Sequence, residues 1–110
     1  MRLCLPTQKG FTIVKLEEII YCEAQRSYTI FRLINNKSII ISKPLFDYDK
    51  LLADTVFLRV HKSFLINLMH IKEYMRGEGG TVSHERWHGS GDKSSQKEQF
   101  LVKVKEYFKY

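Results

Sequence analysis

Two six-residue runs, Tyr28-Thr29-Ile30-Phe31-Arg32-Leu33 and Lys37-Ser38-Ile39-Ile40-Ile41-Ser42, stand on either side of Asn35-Asn36. Both are rich in β-branched and aromatic residues, which fit a pleated surface better than a helix. Asparagine tolerates the positive φ of a tight reversal, so the stretch reads as a β-hairpin. Its neighbours extend the sheet. Gly10 to Leu16 alternates apolar and polar after a turn, and Ile19-Ile20-Tyr21-Cys22 is a short apolar run of strand formers. Two strands therefore precede the hairpin.

Pro44, suited to a first helical turn, is followed by Leu45, Tyr48, Leu51 and Leu52 at helical spacing, which predicts a short amphipathic helix over 43–53 with Ser42 as its N-cap. Phe57 to Val60 and Phe64 to Asn67 are apolar stretches separated by polar residues, and Ile71 to Arg76 resembles a further strand. Gly77-Glu78-Gly79-Gly80 leads into Thr81-Val82 as a tight connection. Phe100, Leu101, Val104, Tyr107 and Phe108 form a helical stripe, so the chain is expected to end in a helix beginning near Ser94 or Ser95. The fold class is mainly β, in one domain spanning 1–110.

A chain of 110 residues with 44% hydrophobic content can bury one core. No apolar run reaches the ~18 residues of a membrane span, and the N-terminus lacks the apolar stretch of a signal peptide. The expectation is a soluble, cytoplasmic protein in which Cys4 and Cys22 are reduced and buried. His84 and His88 stand four apart without a third ligand, and the glycine cluster lacks the lysine of a phosphate-cradling loop, so no metal, cofactor or nucleotide is expected. Glu17-Glu18 are adjacent and splay apart, and neither cysteine has a histidine partner in the pattern of an activated nucleophile. Enzymatic activity is not expected.

The net charge of +6 suits a polyanionic partner without demanding one. More telling are short polar clusters between the predicted strands: Gln25-Arg26-Ser27-Tyr28, Lys37, Ser42-Lys43, Arg59, and His61-Lys62-Ser63 followed by Asn67. Arginine and lysine neutralise phosphates or fork onto guanine, serine bonds phosphate, and histidine, asparagine or glutamine read base edges. A hydrated loop surface uses the same residue types, so composition alone leaves both readings open.

Three blocks narrow the choice: Ile20-Tyr21-Cys22-Glu23-Ala24 leading to Tyr28, then Ser42-Lys43-Pro44-Leu45, then FLRVHKSFLINLMHIKEY at 57–74. Together, and in this order, they resemble the LytTR DNA-binding domains of bacterial response regulators. The resemblance covers residues 3–82 and resumes near Lys97. It implies an elongated β fold that inserts loops into successive major grooves of double-stranded promoter DNA, acts as the output domain of a two-component transcriptional regulator, follows an N-terminal receiver domain and pairs on DNA repeats. It places Arg26, Ser27 or Tyr28 at one base-reading position and Lys62 at the second; Lys43 and Ser63, from the polar clusters above, are counted among the DNA-binding residues as well. Arg59, His61 and Asn67 either share the contact or brace the loop, bracing being preferred for His61 and Asn67.

The family's third contact is a basic residue of its final strand, reached through a hairpin. Here the chain departs from the pattern, because SHERWHGSGDKSSQ stands at that place and Lys97 is the nearest basic residue beyond it. The genetic code offers a reason. In a frame shifted by one base, Trp87-His88 forces glycine, His84-Glu85 permits only methionine or threonine, and Gln96-Lys97 and Lys97-Glu98 each force lysine or arginine. One permitted reading, MSDGTEVEIKVARK, has a turn at Asp-Gly, an alternating strand and a basic end. Residues 83–97 are thus expected to be an out-of-frame reading bounded by two compensating shifts. Taken as it stands, the stretch is expected to cost the domain its last strand pair and one DNA loop. The alternative function is a degenerate copy serving as an interaction or dimerisation module with weak, nonspecific DNA binding. Single-stranded nucleic-acid binding through Tyr28 and Trp87 ranks last.

Overall fold

The computed structural model describes residues 1–75, 81–84, 88–90 and 94–108, with side chains over 1–71 and 101–108. Its centre is a five-stranded antiparallel sheet. The strands are β3 (Ile19–Gln25), β4 (Tyr28–Leu33), β5 (Ser38–Ile41), β6 (Phe57–His61) and β7 (Phe64–Asn67), in the spatial order β5-β4-β3-β7-β6. The β4–β5 reversal has Asn35 at φ 64° and Asn36 at φ 60°, the left-handed conformation that the sequence reading asked of them.

A hairpin of β1 (Arg2–Thr7) and β2 (Gly10–Lys15) and the helix α1 (Leu45–Leu51) cover one face of this sheet. Leu3, Leu5, Val14, Ile19, Cys22, Phe31, Ile41, Leu45, Tyr48, Leu52, Phe57 and Leu65 meet there in one cluster. The opposite face carries Val60, Ile66 and Leu68, packed with Tyr21, Leu58 and Phe64 and capped by Leu101 and Val104 of the second helix, α2 (Ser94–Tyr107). The sheet is therefore buried on both faces. This is why β3 and β7 read as continuous apolar runs instead of alternating. A smaller sheet, ordered β10-β9-β8, is formed by β8 (Ile71–Met75), β9 (Thr81–His84) and β10 (His88–Ser90). With extents of 44 × 29 × 25 Å, the molecule is an elongated, mainly β fold with one short mid-chain helix and a C-terminal helix.

The structure corrects several local expectations. β1 has no counterpart in the sequence reading. Its alternation turns Leu3 and Leu5 inward and leaves Cys4 exposed, so only Cys22 is a buried thiol. Pro44, not Ser42, is the N-cap of α1, and it offers no side-chain hydrogen bond. Leu51 is 55% exposed because its position in α1 turns it away from the face defined by Leu45, Tyr48 and Leu52. Tyr107 and Phe108 are likewise exposed and pack on each other, edge to face at 4.7 Å. The last strand pair is not lost: Thr81–Ser83 pairs with His88–Ser90. Residues 76–80, 85–87 and 91–93, which hold Trp87 and the glycine cluster, lie outside the described residues.

Candidate nucleic-acid interface

Strand pairing determines which polar clusters share an end of the molecule. In β3–β4, Gln25 pairs with Tyr28, so Arg26 and Ser27 form a two-residue tip at the end of β3. In β3–β7, Glu23 pairs with Phe64, which brings the β6–β7 tip, Lys62-Ser63, to the same end. In β4–β5, Thr29 pairs with Ile41, so Ser42 and Lys43 leave β5 there too. A hydrogen bond from Thr29 Oγ1 to the Lys43 carbonyl, at 2.8 Å, fixes that exit. Arg26, Ser27, Tyr28, Lys43, Lys62 and Ser63, spread over 38 positions of sequence from 26 to 63, are thereby gathered at one edge of the sheet.

The β6–β7 tip is held by its neighbours. Arg59 Nε donates to the His61 carbonyl at 2.8 Å, Nη2 donates to the Lys62 carbonyl, and Nη1 reaches Asp49 Oδ2 in α1 at 3.0 Å. His61 Nδ1 accepts the Ser63 N–H at 3.0 Å, which leaves Nε2 as the protonated donor, and its ring rests against Phe64. The Ser63 carbonyl accepts the Ala24 N–H at 2.8 Å, tying this tip to β3. Neither Lys62 nor Ser63 has positive φ. Ordinary turns of that kind splay a hairpin's strands. Here a register shift between Arg59 and His61 and the Arg59 clamp accommodate the turn.

The β3–β4 tip is built differently. Arg26 takes φ 59°, the left-handed region that normally falls to glycine or asparagine. Arg26, Tyr28, Lys43 and Lys62 are exposed, and none of these side chains forms an ion pair among the described residues. The nearby cation Arg32, by contrast, is committed to Glu23 at 2.7 Å and to Ser38 at 3.0 Å. The hydrogen bond to Glu23 is the main reason its guanidinium is held above its ordinary pKa.

Two expected site residues lie elsewhere. Asn67 is 0% exposed. Its Nδ2 donates to the carbonyls of Leu16 (3.1 Å) and Ile19 (2.8 Å), and its Oδ1 accepts the Met69 N–H (2.9 Å). It bolts the end of β7 to the turn before β3 and presents nothing to solvent, so it is removed from the candidate contact set. Lys97 lies in the early part of α2 and not in a strand. Among the described residues no group of three or more metal-ligating side chains occurs, and no helix is long and apolar enough to cross a membrane.

A gathered set of hairpin tips bearing unpaired cations defines a surface suited to a polyanion. The chain belongs to the LytTR family: the LytTr DNA-binding domain matches residues 9–85. It is 32% identical over 72 residues to the sensory transduction protein LytT of Bacillus subtilis (strain 168), a match covering 66% of this chain and 30% of that protein. The chain thus spans less than a third of that relative's length. A solved LytTr DNA-binding domain from Bacillus cereus superimposes with a TM-score of 0.76 over 94% of this chain and 95% of the other, and at 22% identity that likeness speaks to the fold.

Proposed function

We propose that this domain reads double-stranded promoter DNA as the output module of a two-component regulator, its two tips entering successive major grooves. The observation that carries this reading is the convergence of the Arg26-Ser27 and Lys62-Ser63 tips with Lys43 on one sheet edge. Arg26, Ser27 or Tyr28 supplies one base contact and Lys62 the other. Lys43 and Ser63 bond phosphate, and His61 and Arg59 hold the second tip in shape. In the full regulator a receiver domain precedes the module, and two copies bind adjacent repeats.

Selection from a pool of randomised duplexes, followed by fluorescence anisotropy with the selected duplex and its scrambled counterpart, tests this. A preference for the selected sequence that falls about tenfold in Lys62→Ala is expected, equivalent to roughly 1.4 kcal/mol. Equal binding to both duplexes would reduce the function to nonspecific DNA association. That result would favour the second reading, a self-association module. An observation supports it: Phe11 (68% exposed) and Ile13 (50% exposed) pair with Pro6 and Cys4 on the outer face of the β1–β2 hairpin, an apolar patch that a second copy could cover. Concentration-dependent sedimentation that disappears in Phe11→Ser would establish it.

The stretch 83–97 belongs to the same proposal. The family match ends at residue 85, two positions after the out-of-frame stretch begins. If Ser94 and Ser95 are both encoded by TCG, the shifted frame ends in Arg-Arg followed by two obligatory basic residues, a cluster suited to a third DNA contact. The coding DNA decides: codons compatible with MSDG at the start and a basic run at the end support two compensating shifts, and incompatible codons at either place refute them.

A further inference from the structure

Among the described residues, the turn between β1 and β2 is a further hairpin tip at this end, with no role in the reading above. Thr7 pairs with Gly10, leaving Gln8 and Lys9 as its two central residues. Gly10 takes φ 140°, a conformation that side-chain-bearing residues rarely adopt, and nothing lies within 4 Å of where its Cβ would be. The turn is thus shaped by backbone requirements and not by crowding. It does not stand apart from the candidate interface. Pro6, Thr7, Gln8 and Lys9 form one wall of an open cleft of about 770 Å³ whose other wall is Tyr28, Ile40, Ser42 and Lys43.

The chemistry of this cleft is one-sided. Two lysines face it from opposite walls, no carboxylate lines it, and neither lysine has an ion-pair partner among the described residues. Gln8, Thr7 and Ser42 supply hydrogen-bonding groups. Tyr28 and Ile40, both exposed, supply apolar surface between the cations. A DNA strand presents the complementary alternation of phosphate oxygens and apolar sugar faces.

We propose that this cleft seats the sugar-phosphate backbone beside the Arg26-Ser27 tip, with Lys9 and Lys43 each neutralising a phosphate. This rests on the duplex-binding reading above and adds the β1–β2 turn to it as a third anchoring element. Pro6, Thr7 and Gln8 lie outside the residues matched by the family, whereas Lys9 is the first residue inside the match. Because phosphates carry no sequence information, Lys9 contributes affinity and salt dependence without contributing preference.

The test is the salt dependence of duplex affinity between about 50 and about 200 mM potassium chloride, measured by anisotropy on the selected and scrambled duplexes. For Lys9→Ala the slope of log K against log salt should lose about 0.9, and for Lys9→Ala with Lys43→Ala about 1.8, with the selected-to-scrambled ratio unchanged in both. Lys9→Arg should retain the parent slope. An unchanged slope in Lys9→Ala, in a parent that binds duplex, would overturn the cleft assignment and leave the two reading tips intact. A changed ratio with an unchanged slope would overturn it as well, by making Lys9 a base reader. A parent that binds no duplex would remove the underlying function and this inference together.

Discussion

The two tips proposed to read DNA sit side by side on the sheet and are prepared in opposite ways. The β6–β7 tip is braced: one arginine spans two of its carbonyls and an aspartate, a histidine nitrogen accepts one of its amides, and a cross-strand bond ties it to β3. The β3–β4 tip is free. It has an arginine in the left-handed region whose side chain forms no hydrogen bond or ion pair among the described residues. A braced tip meets DNA with its ordering entropy already lost in folding, so its contact favours specificity. A free tip orders its long side chain on contact, and local strain at a binding residue is a cost that the rest of the fold must carry.

The largest effect is expected from cutting the brace. Arg59→Ala should lower stability by about 2 kcal/mol, because it removes charge-assisted hydrogen bonds to Asp49 and to two carbonyls in a half-exposed setting. It should also lower preference for the selected duplex by about as much as Lys62→Ala. Arg59→Lys should not rescue, since a single ammonium cannot bridge three acceptors held in the fork of a guanidinium. Urea unfolding and anisotropy on the same samples check both halves. Full rescue by lysine would mean that the tip needs only a positive charge and that the contrast between braced and free tips is superficial.

How much of this is legible in the sequence differs between the two tips and their surroundings. The β4–β5 hairpin, α1, α2 and the strands flanking Lys62 follow from periodicity and turn chemistry, because tertiary packing there agrees with local preference. β1 was missed because a six-residue strand containing Pro6 carries a weak signal. The proline is tolerated because β1 belongs to a two-stranded hairpin with open edges. The residues proposed as contacts, at 26–28, 43 and 62–63, were singled out through family resemblance and not through residue type, and strand pairing brings them to one end of the sheet. The Arg59 clamp was not legible: Asp49 lies on another element, and nothing in the intervening sequence marks the pair. Lys9 was invisible for the same reason, since a lone lysine in a turn means little until the cleft places Lys43 across from it.

Next in size is an effect common to both tips. Cys22 pairs with Phe31 on one side and Leu65 on the other, in the core from which both hairpins rise, and burial pushes its thiol far above the ordinary range. Tyr48, whose hydroxyl has no hydrogen-bond partner among the described residues, is raised too, first by burial and then by the neighbouring Cys22, Asp47 and Cys4. Both groups favour the protonated form in the fold, so their contribution is complete below the unfolded-state pKa and is lost as pH rises. For Cys22 the loss begins above about pH 8.5, at up to about 1.4 kcal/mol per pH unit. Urea midpoints at pH 8 and pH 10 should therefore fall steeply in the parent and less in Cys22→Val. Because the thiol lies beneath both tips, the substitution should leave the difference between them untouched. A Cys22→Val variant that changed duplex preference would show that the two tips do not share one rigid base.

The smallest expected effect separates the tips most sharply. Arg26→Gly removes the steric cost of a Cβ in the left-handed region while adding backbone freedom to the unfolded chain, and the net gain should be about 0.5 to 1 kcal/mol of stability. The same substitution removes an unpaired cation from the free tip, so duplex affinity should fall about tenfold. Stability and binding therefore move in opposite directions at Arg26, whereas at Arg59 they fall together. If Arg26→Gly lost stability, the left-handed residue would be held by favourable contacts of its side chain and the tip would not be free. If it gained stability with no loss of binding, the strain would have no bearing on DNA, and base reading at this tip would pass to Ser27 or Tyr28.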